Sequence, residues 1–347
     1  MQKLNILPYF FGFIIALGGA FFAQWLHFPL PWLIGPLLAT ATVSMLNAPA
    51  KSHSNIRHIG QWVIGISLGL YFTPDTMHTI VQIAPYIIFG CCFTLILGGF
   101  NAFLFFRFGK VDLKTAWFAG AIGGASEMAN LAEHYKARVD SVASSHSVRI
   151  LLVVIIVPFT YKFLGIHGHE VAPGAIMHHF SWWGLAQLFA LSLITVWLFK
   201  KTHIPNHWVL GPLAVTLVLT SQEIHLTHLT PEIQRMGQLC IGWSLGSKYG
   251  PDFFSRAPRY LTVSAVATVS SLGLCAVLVY FMSFLSHIPF STLMLSMSPG
   301  GIAEMTITAK ALQLGVPIVA SFHVCRMVFV LLLAQPCYRL LEYWFDK

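Results

Sequence analysis

Apolar positions in this chain come in long continuous blocks separated by short polar, glycine- or proline-bearing joints. They do not alternate as half-buried or barrel strands do. The blocks fall near residues 8–26, 29–46, 58–72, 79–106, 115–133 and 139–163, then near 181–200, 206–221, 235–249, 259–285, 290–310 and 315–338. A bilayer core takes roughly 20 apolar residues per helix, and blocks such as Ile80–Phe106 and Leu261–Leu285 reach that length. The pattern predicts an all-α polytopic membrane protein with about 10 full transmembrane helices and two broken or re-entrant segments.

Composition strengthens that reading. Hydrophobic residues make up 56% of the 347 and charged residues 9%, against about 25% charged in an ordinary soluble domain. The net charge of +8 sits in short loops between apolar blocks, which fits a membrane surface and argues against nucleic acid as a partner. Lys3 and the apolar run behind it imitate a signal peptide. No small-residue cleavage site follows, and the run has a counterpart later in the chain, so it is read as the first helix. The six cysteines lie in apolar stretches without CxxC spacing, so neither a disulfide framework nor a zinc site is expected.

The chain matches itself at an offset of 177. Gly60, Gln61, Ile64, Gly65, Ser67, Leu68 and Gly69 fall on Gly237, Gln238, Ile241, Gly242, Ser244, Leu245 and Gly246. With a one-residue gap upstream, Trp32, Gly35, Pro36 and Leu37 fall on Trp208, Gly211, Pro212 and Leu213. Downstream, Gly123, Gly124, Glu127 and Met128 fall on Gly300, Gly301, Glu304 and Met305, and His146 and Arg149 on His323 and Arg326. Two six-segment repeats are expected, 1–165 and 181–347, joined by a loop at 166–180 that is rich in glycine, proline and histidine.

Lysine and arginine placement bears on whether the repeats are parallel or inverted. Suppose the N-terminus is cytoplasmic and the Gly-Gly-Glu segments do not cross. Fifteen lysines and arginines then lie inside and three (Lys162, Arg235, Lys310) outside, with Arg149 and Arg326 within the membrane. If every segment crosses, the count is ten against eight, so inverted repeats are favoured. Gly120-Ala-Ile-Gly-Gly124 and Ser298-Pro-Gly-Gly301 are poor helix interior. Broken segments meeting near the bilayer midplane are a common transporter build; ordinary kinked crossing helices are the alternative.

The candidate chemistry lies in two matching sets. Glu127 and Glu304 stand in apolar sequence, where an unpaired carboxylate costs about 2.5–3.5 kcal/mol. His146 and Arg149, like His323 and Arg326, share a helix face three residues apart. One reading makes these six residues a central polar site for a small-molecule or ionic ligand. The arginines would neutralise the glutamates or hold an anionic solute, and the histidines would exchange protons. The freed amides of Gly123, Gly124, Gly300 and Gly301 would favour anions, and Ser126, Ser144 and Ser321 would add hydrogen bonds. The other reading is a pair of structural Glu–Arg ion pairs. Gly65–Gly69 and Gly242–Gly246 are explained by tight helix packing, and Asp75 and Asp252 by turns or caps. His167, His169, His178 and His179 with Glu170 crowd the central loop without the spacing of a standard metal site. No cofactor is expected.

The motifs Trp32-Leu-Ile-Gly-Pro36, Gly-Gln-x-x-Ile-Gly-x-Ser-Leu-Gly at 60–69 and 237–246, and Gly-Gly-x-x-Glu-Met with His-x-x-Arg in both halves resemble the bacterial AbrB-type membrane protein family. The resemblance covers essentially the whole chain. It implies a duplicated membrane domain in the bacterial inner membrane, unrelated to the small soluble DNA-binding regulators of the same name. The labels attached to that family are regulator of gene expression and ammonia monooxygenase, neither of them an established biochemistry. The reading that joins motif and chemistry is a secondary transporter of a small, anionic solute, not an enzyme, with a homo-oligomer allowed. A membrane sensor governing gene expression and a metal-dependent monooxygenase are the alternatives.

Overall fold

A computed structural model describes residues 7–48, 51–168, 180–251, 253 and 257–345. Among them every regular element is helical, and fourteen helices are formed. They are α1 (Leu7–Trp25), α2 (Pro31–Met45), α3 (Ser54–Gly69), α4 (Pro74–Gly109), α5 (Leu113–Gly120), α6 (Ala125–His134) and α7 (Val139–Phe163), followed by α8 (Trp182–Lys201), α9 (His207–Ser221), α10 (Pro231–Gly246), α11 (Pro258–Ser286), α12 (Phe290–Met297), α13 (Ile302–Ala311) and α14 (Val316–Phe345). Every apolar block of the sequence holds a helix, and the two Gly-Gly-Glu blocks each hold a pair.

Six helices, α1, α4, α7, α8, α11 and α14, are long and apolar enough to cross a membrane. The sequence leads one to expect about ten full crossings, whereas α2 and α9 are apolar but only 15 residues long, or about 22 Å. Large apolar side chains stand exposed along the long helices, for example Phe10, Ile14 and Phe21 on α1, Ile194 and Trp197 on α8, and Phe281 and Phe284 on α11. Apolar area on that scale suits contact with hydrocarbon rather than water.

The chain divides into two compact units, each assembled from both halves of the sequence. The first covers residues 1–77, 158–256 and 311–313 and contains α1–α3 and α8–α10. Here α2 packs on α1 and α10, and α3 packs on α9 and α10. Gly65 of α3 sits so close to α9 that an added Cβ would strike the carbonyl oxygen of Val209, and Gly242 of α10 meets Leu33 of α2 in the same way. Small residues at those positions let the helix backbones touch.

The second unit covers 78–157, 257–310 and 314–347. Its long helices α4 and α11 pack around an apolar core that includes Ile87, Cys91, Ile122, Cys275, Met297 and Phe322. The four short helices α5, α6, α12 and α13 lie in this unit. Of the central loop's candidate metal ligands, His169, Glu170, His178 and His179 lie outside the described residues, as does Asp252; Asp75 is in the first turn of α4, where its charge suits the helix dipole.

Among the described residues ten non-glycine residues have positive φ, and they fall into five pairs separated by 176 or 177 positions. These are His27 with His203, Leu30 with Asn206, Asn47 with Glu223, Lys110 with His287, and Lys136 with Gln313. A left-handed residue without glycine costs on the order of 1 kcal/mol, so each shared turn is imposed by the helices it joins.

Candidate functional site at two broken helices

The first break runs from Ala121 to Gly124. Helix α5 ends at Gly120, Ala121 turns to φ −58°, ψ 131°, and α6 restarts after Gly124 at φ −67°, ψ 139°. The second break repeats the geometry at Ser298, φ −54°, ψ 138°, between α12 and α13. Its cause is partly covalent. Pro299 bars Ser298 from helical backbone and contributes no N–H, whereas the first break has Ile122 at that place.

A break exposes the carbonyls that end one half-helix and the amides that begin the next. The carbonyl side is filled by side chains of the following long helix. Arg149 of α7 donates through Nη1 to Ala121 O (3.0 Å) and through Nη2 to Gly123 O (2.9 Å). Arg326 of α14 donates to Ser298 O and Gly300 O, both at 2.7 Å. His146 Nε2 lies 3.0 Å from Phe118 O and His323 Nε2 lies 3.0 Å from Leu295 O. A carbonyl only accepts, so each Nε2 carries the hydrogen and each Nδ1 is left as an acceptor. Cations at the carbonyl end of a half-helix also complement its dipole. The guanidinium bonds thus go to backbone carbonyls and to a histidine, not to Glu127 or Glu304, and no Glu–Arg ion pair is made here.

Side chains that the sequence does not single out complete the carbonyl side. Ser145 Oγ donates to Ala119 O at 3.0 Å, the part expected of its neighbour Ser144. Asn101 Nδ2 reaches Gly120 O at 3.4 Å, and Ser271 Oγ holds Asn101 Oδ1 at 3.0 Å. At the second break Cys275 Sγ points to Met297 O at 3.3 Å. A lone asparagine in the run 80–106 is the signal the sequence offers for Asn101, because an amide there needs partners.

The amide side belongs to the glutamates. Each is the third residue of its half-helix and folds back over the glycine that precedes the helix. A Cβ on Gly124 or Gly301 would collide with the Glu127 or Glu304 carboxylate, respectively. An acid in that position suits the positive end of a helix. The surroundings differ. Gly123, Gly124 and Glu127 are partly exposed and Ser126 is exposed, whereas Ser298, Pro299 and Gly300 are buried and Glu304 is 4% exposed.

Hydrogen bonding differs too. Arg326 Nη2 also donates to His323 Nδ1 at 2.8 Å. In the first set His146 Nδ1, Arg149 Nε and Glu127 Oε2 are buried without a partner, and no buried side-chain atom of the second set is in that condition. The two sets are near neighbours: Val330, one turn beyond Arg326 on α14, lies against Gly123. Among the described residues no cluster of three or more His, Cys, Asp or Glu has a metal-binding arrangement.

The sequence of this chain matches a family model described as transition state regulatory protein AbrB over residues 32–342. The chain belongs to the AbrB family. Two curated relatives of this AbrB-family chain align over nearly all of it. A protein of Bacillus subtilis (strain 168), YhjN, whose name assigns no activity, is 25% identical over 98% of this chain and 94% of its own length. A protein of Escherichia coli (strain K12) named as regulator AbrB is 23% identical over 92% of each chain. Neither name assigns an enzymatic reaction.

Proposed function

We propose that this chain is a secondary transporter of a small, anionic solute, built from two inverted repeats in the bacterial inner membrane with a cytoplasmic N-terminus. The observation that carries the reading is the pair of broken helices, each with its carbonyl end held by a buried arginine and its amide end beside a glutamate. Non-helical backbone is tolerated at membrane depth only where protein or a water-filled cavity surrounds it, and interrupted half-helices of this kind bind solutes and coupling ions in many secondary transporters. The repeat assignment, 1–165 and 181–347, draws support from bonds that recur 177 positions apart and from the five pairs of left-handed residues.

In this reading the arginines shape the site instead of gripping the solute, since their bonds are committed to the breaks. Solute contact is assigned to the amide ends of α6 and α13, with Ser126, Glu127 and Glu304 beside them. Reconstitution tests it: vesicles carrying the protein should accumulate or release an anionic metabolite from a defined panel, and Glu127→Gln should abolish the flux while the variant stays folded. Normal flux in Glu127→Gln, or none in the wild type across the panel, would sink the assignment.

A sensor that governs gene expression is the second reading, favoured by the name regulator carried by the E. coli relative. Cross-linking that captured a cytoplasmic protein only when a solute was bound would favour it over transport.

A further inference from the structure

We propose that a basic cleft at the ends of α4, α7 and α11, in the second unit and separate from the broken helices, binds a phosphate group. The cleft encloses about 230 Å³, and Lys110, Arg138, Ser141, Arg259 and Tyr260 are among its walls. None of the described residues that line it is acidic. Three cations around one cavity, with no carboxylate to neutralise them, raise the local concentration of anions.

Local structure fixes where the cations stand. Helix α4 stops at Gly109, and Lys110 turns the chain with left-handed backbone, φ 52°. Arg138 comes just before α7, and its backbone N–H donates to Thr115 Oγ1 at 3.0 Å. Arg259 lies in the first turn of α11 and donates through Nε to Phe108 O at 2.7 Å. That bond anchors the guanidinium at the carbonyl end of α4, which suits the helix dipole. A planar guanidinium held in place is well shaped for phosphate oxygens. Tyr260 is buried and donates its hydroxyl hydrogen to Ser141 O at 3.0 Å, which gives the cleft a fixed floor. Helix α11 adds its own amides, because Ala257 at the N-cap supplies no capping side chain. First-turn amides left open in this way favour phosphate.

The fold does not require these cations. Their counterparts 177 positions away are His287, Gly315 and Gln82, yet His287 takes the same left-handed turn as Lys110. An orientation signal accounts for basic residues at this end of the helices, but it does not gather them around a cavity. The acids close by in sequence have other places. Asp112 caps α5 by accepting from Thr115 N, and Asp140 sits in the first turn of α7.

Helices α4, α7 and α11 are each long and apolar enough to cross a membrane, so their shared ends belong at headgroup level. Phe103, Phe106 and Phe108 stand exposed on the last turns of α4, an apolar surface for acyl chains beside the cleft. Basic pockets between transmembrane helices bind anionic headgroups. An anionic phospholipid is therefore the favoured source of the phosphate, and a soluble phosphate ester presents the same group.

Native mass spectrometry of the full-length protein in neutral detergent tests the site, with dioleoylphosphatidylglycerol, dioleoylphosphatidylcholine or glycerol 3-phosphate added. Phosphatidylglycerol should be retained and phosphatidylcholine lost. Lys110→Gln with Arg138→Gln should weaken retention by about tenfold or more. Adding Arg259→Gln should abolish it, and the double variant suffices if losing the Phe108 bond unfolds the triple. Lys200→Gln with Lys201→Gln removes two exposed charges from the other unit and should retain the lipid as the wild type does. Retention of glycerol 3-phosphate, lost in the same variants, would support the site with a soluble ester as its ligand. Retention of neither phosphate, equal retention of phosphatidylcholine, an unchanged double variant, or an equal loss in the Lys200 and Lys201 control would each overturn the inference.

Discussion

At the second break the backbone is stopped by Pro299, the carbonyls and histidine are closed by one arginine, and the following helix is buried on all sides. At the first break no proline intervenes, three buried polar atoms have no partner, and the following helix carries an open polar face. The backbone path and three of the side-chain bonds are nevertheless the same. Matching residues can therefore build matching geometry and still leave one copy enclosed and the other partly exposed. The first unit shows the opposite behaviour, since Gly65 and Gly242 meet the facing backbones in the same way on both sides.

The largest test of that contrast removes the arginines. Arg326→Ala strands two carbonyls and the His323 acceptor in a closed environment, which should cost on the order of 3–5 kcal/mol. Arg149→Ala should cost about half as much, because fewer bonds are lost and its break is nearer water. Thermal unfolding in detergent, with both variants side by side, measures the difference; equal losses would break the comparison. Next comes Gly301→Ala, which pushes the enclosed Glu304 carboxylate against its neighbours and should cost about 1–3 kcal/mol. Gly124→Ala should cost less, since the Glu127 side chain is partly exposed and can swing away.

The first unit supplies a control. Gly65→Ala and Gly242→Ala each wedge two helix backbones apart, and each should destabilise by about 1–2 kcal/mol. Near-equal shifts of the unfolding midpoint would confirm that the inequality is confined to the breaks. The smallest effect is expected for Asn101→Leu, which installs the residue found 177 positions on, Leu278. Losing the bonds to Gly120 O and Ser271 should cost about 1 kcal/mol, and an unchanged midpoint would show that Asn101 contributes nothing to the first break.

Much of this architecture is visible in the residues. The helices follow from continuous apolar blocks, and several of their ends from proline and glycine; the left-handed turns at residues such as Leu30 and Lys110 do not show in the sequence. Both breaks are visible in their paired glycines, and the positions of Glu127 and Glu304 follow from them. The partners of Arg149 and Arg326 are not visible, since a guanidinium bonded to a carbonyl 26 or 28 residues earlier depends on how two helices pack. Opposite charges at sequence-adjacent elements suggest ion pairs, and that inference omits the backbone as a competitor for the same donors. The difference between the breaks is half visible. Pro299 against Ile122 and Ala303 against Ser126 can be read directly, whereas the burial that gives them meaning is a tertiary property.

The interleaving of the two units has a consequence for how the chain is made. Helices α2 and α3 leave the ribosome early, yet their partners α9 and α10 follow well over a hundred residues later. Until those arrive, the faces around Gly65 and Leu33 have nothing to close against. A nascent chain halted after residue 165 would be inserted but unassembled, a ready target for membrane proteases. Expression of the first half alone should then yield rapid turnover, and supplying the second half in trans should rescue it.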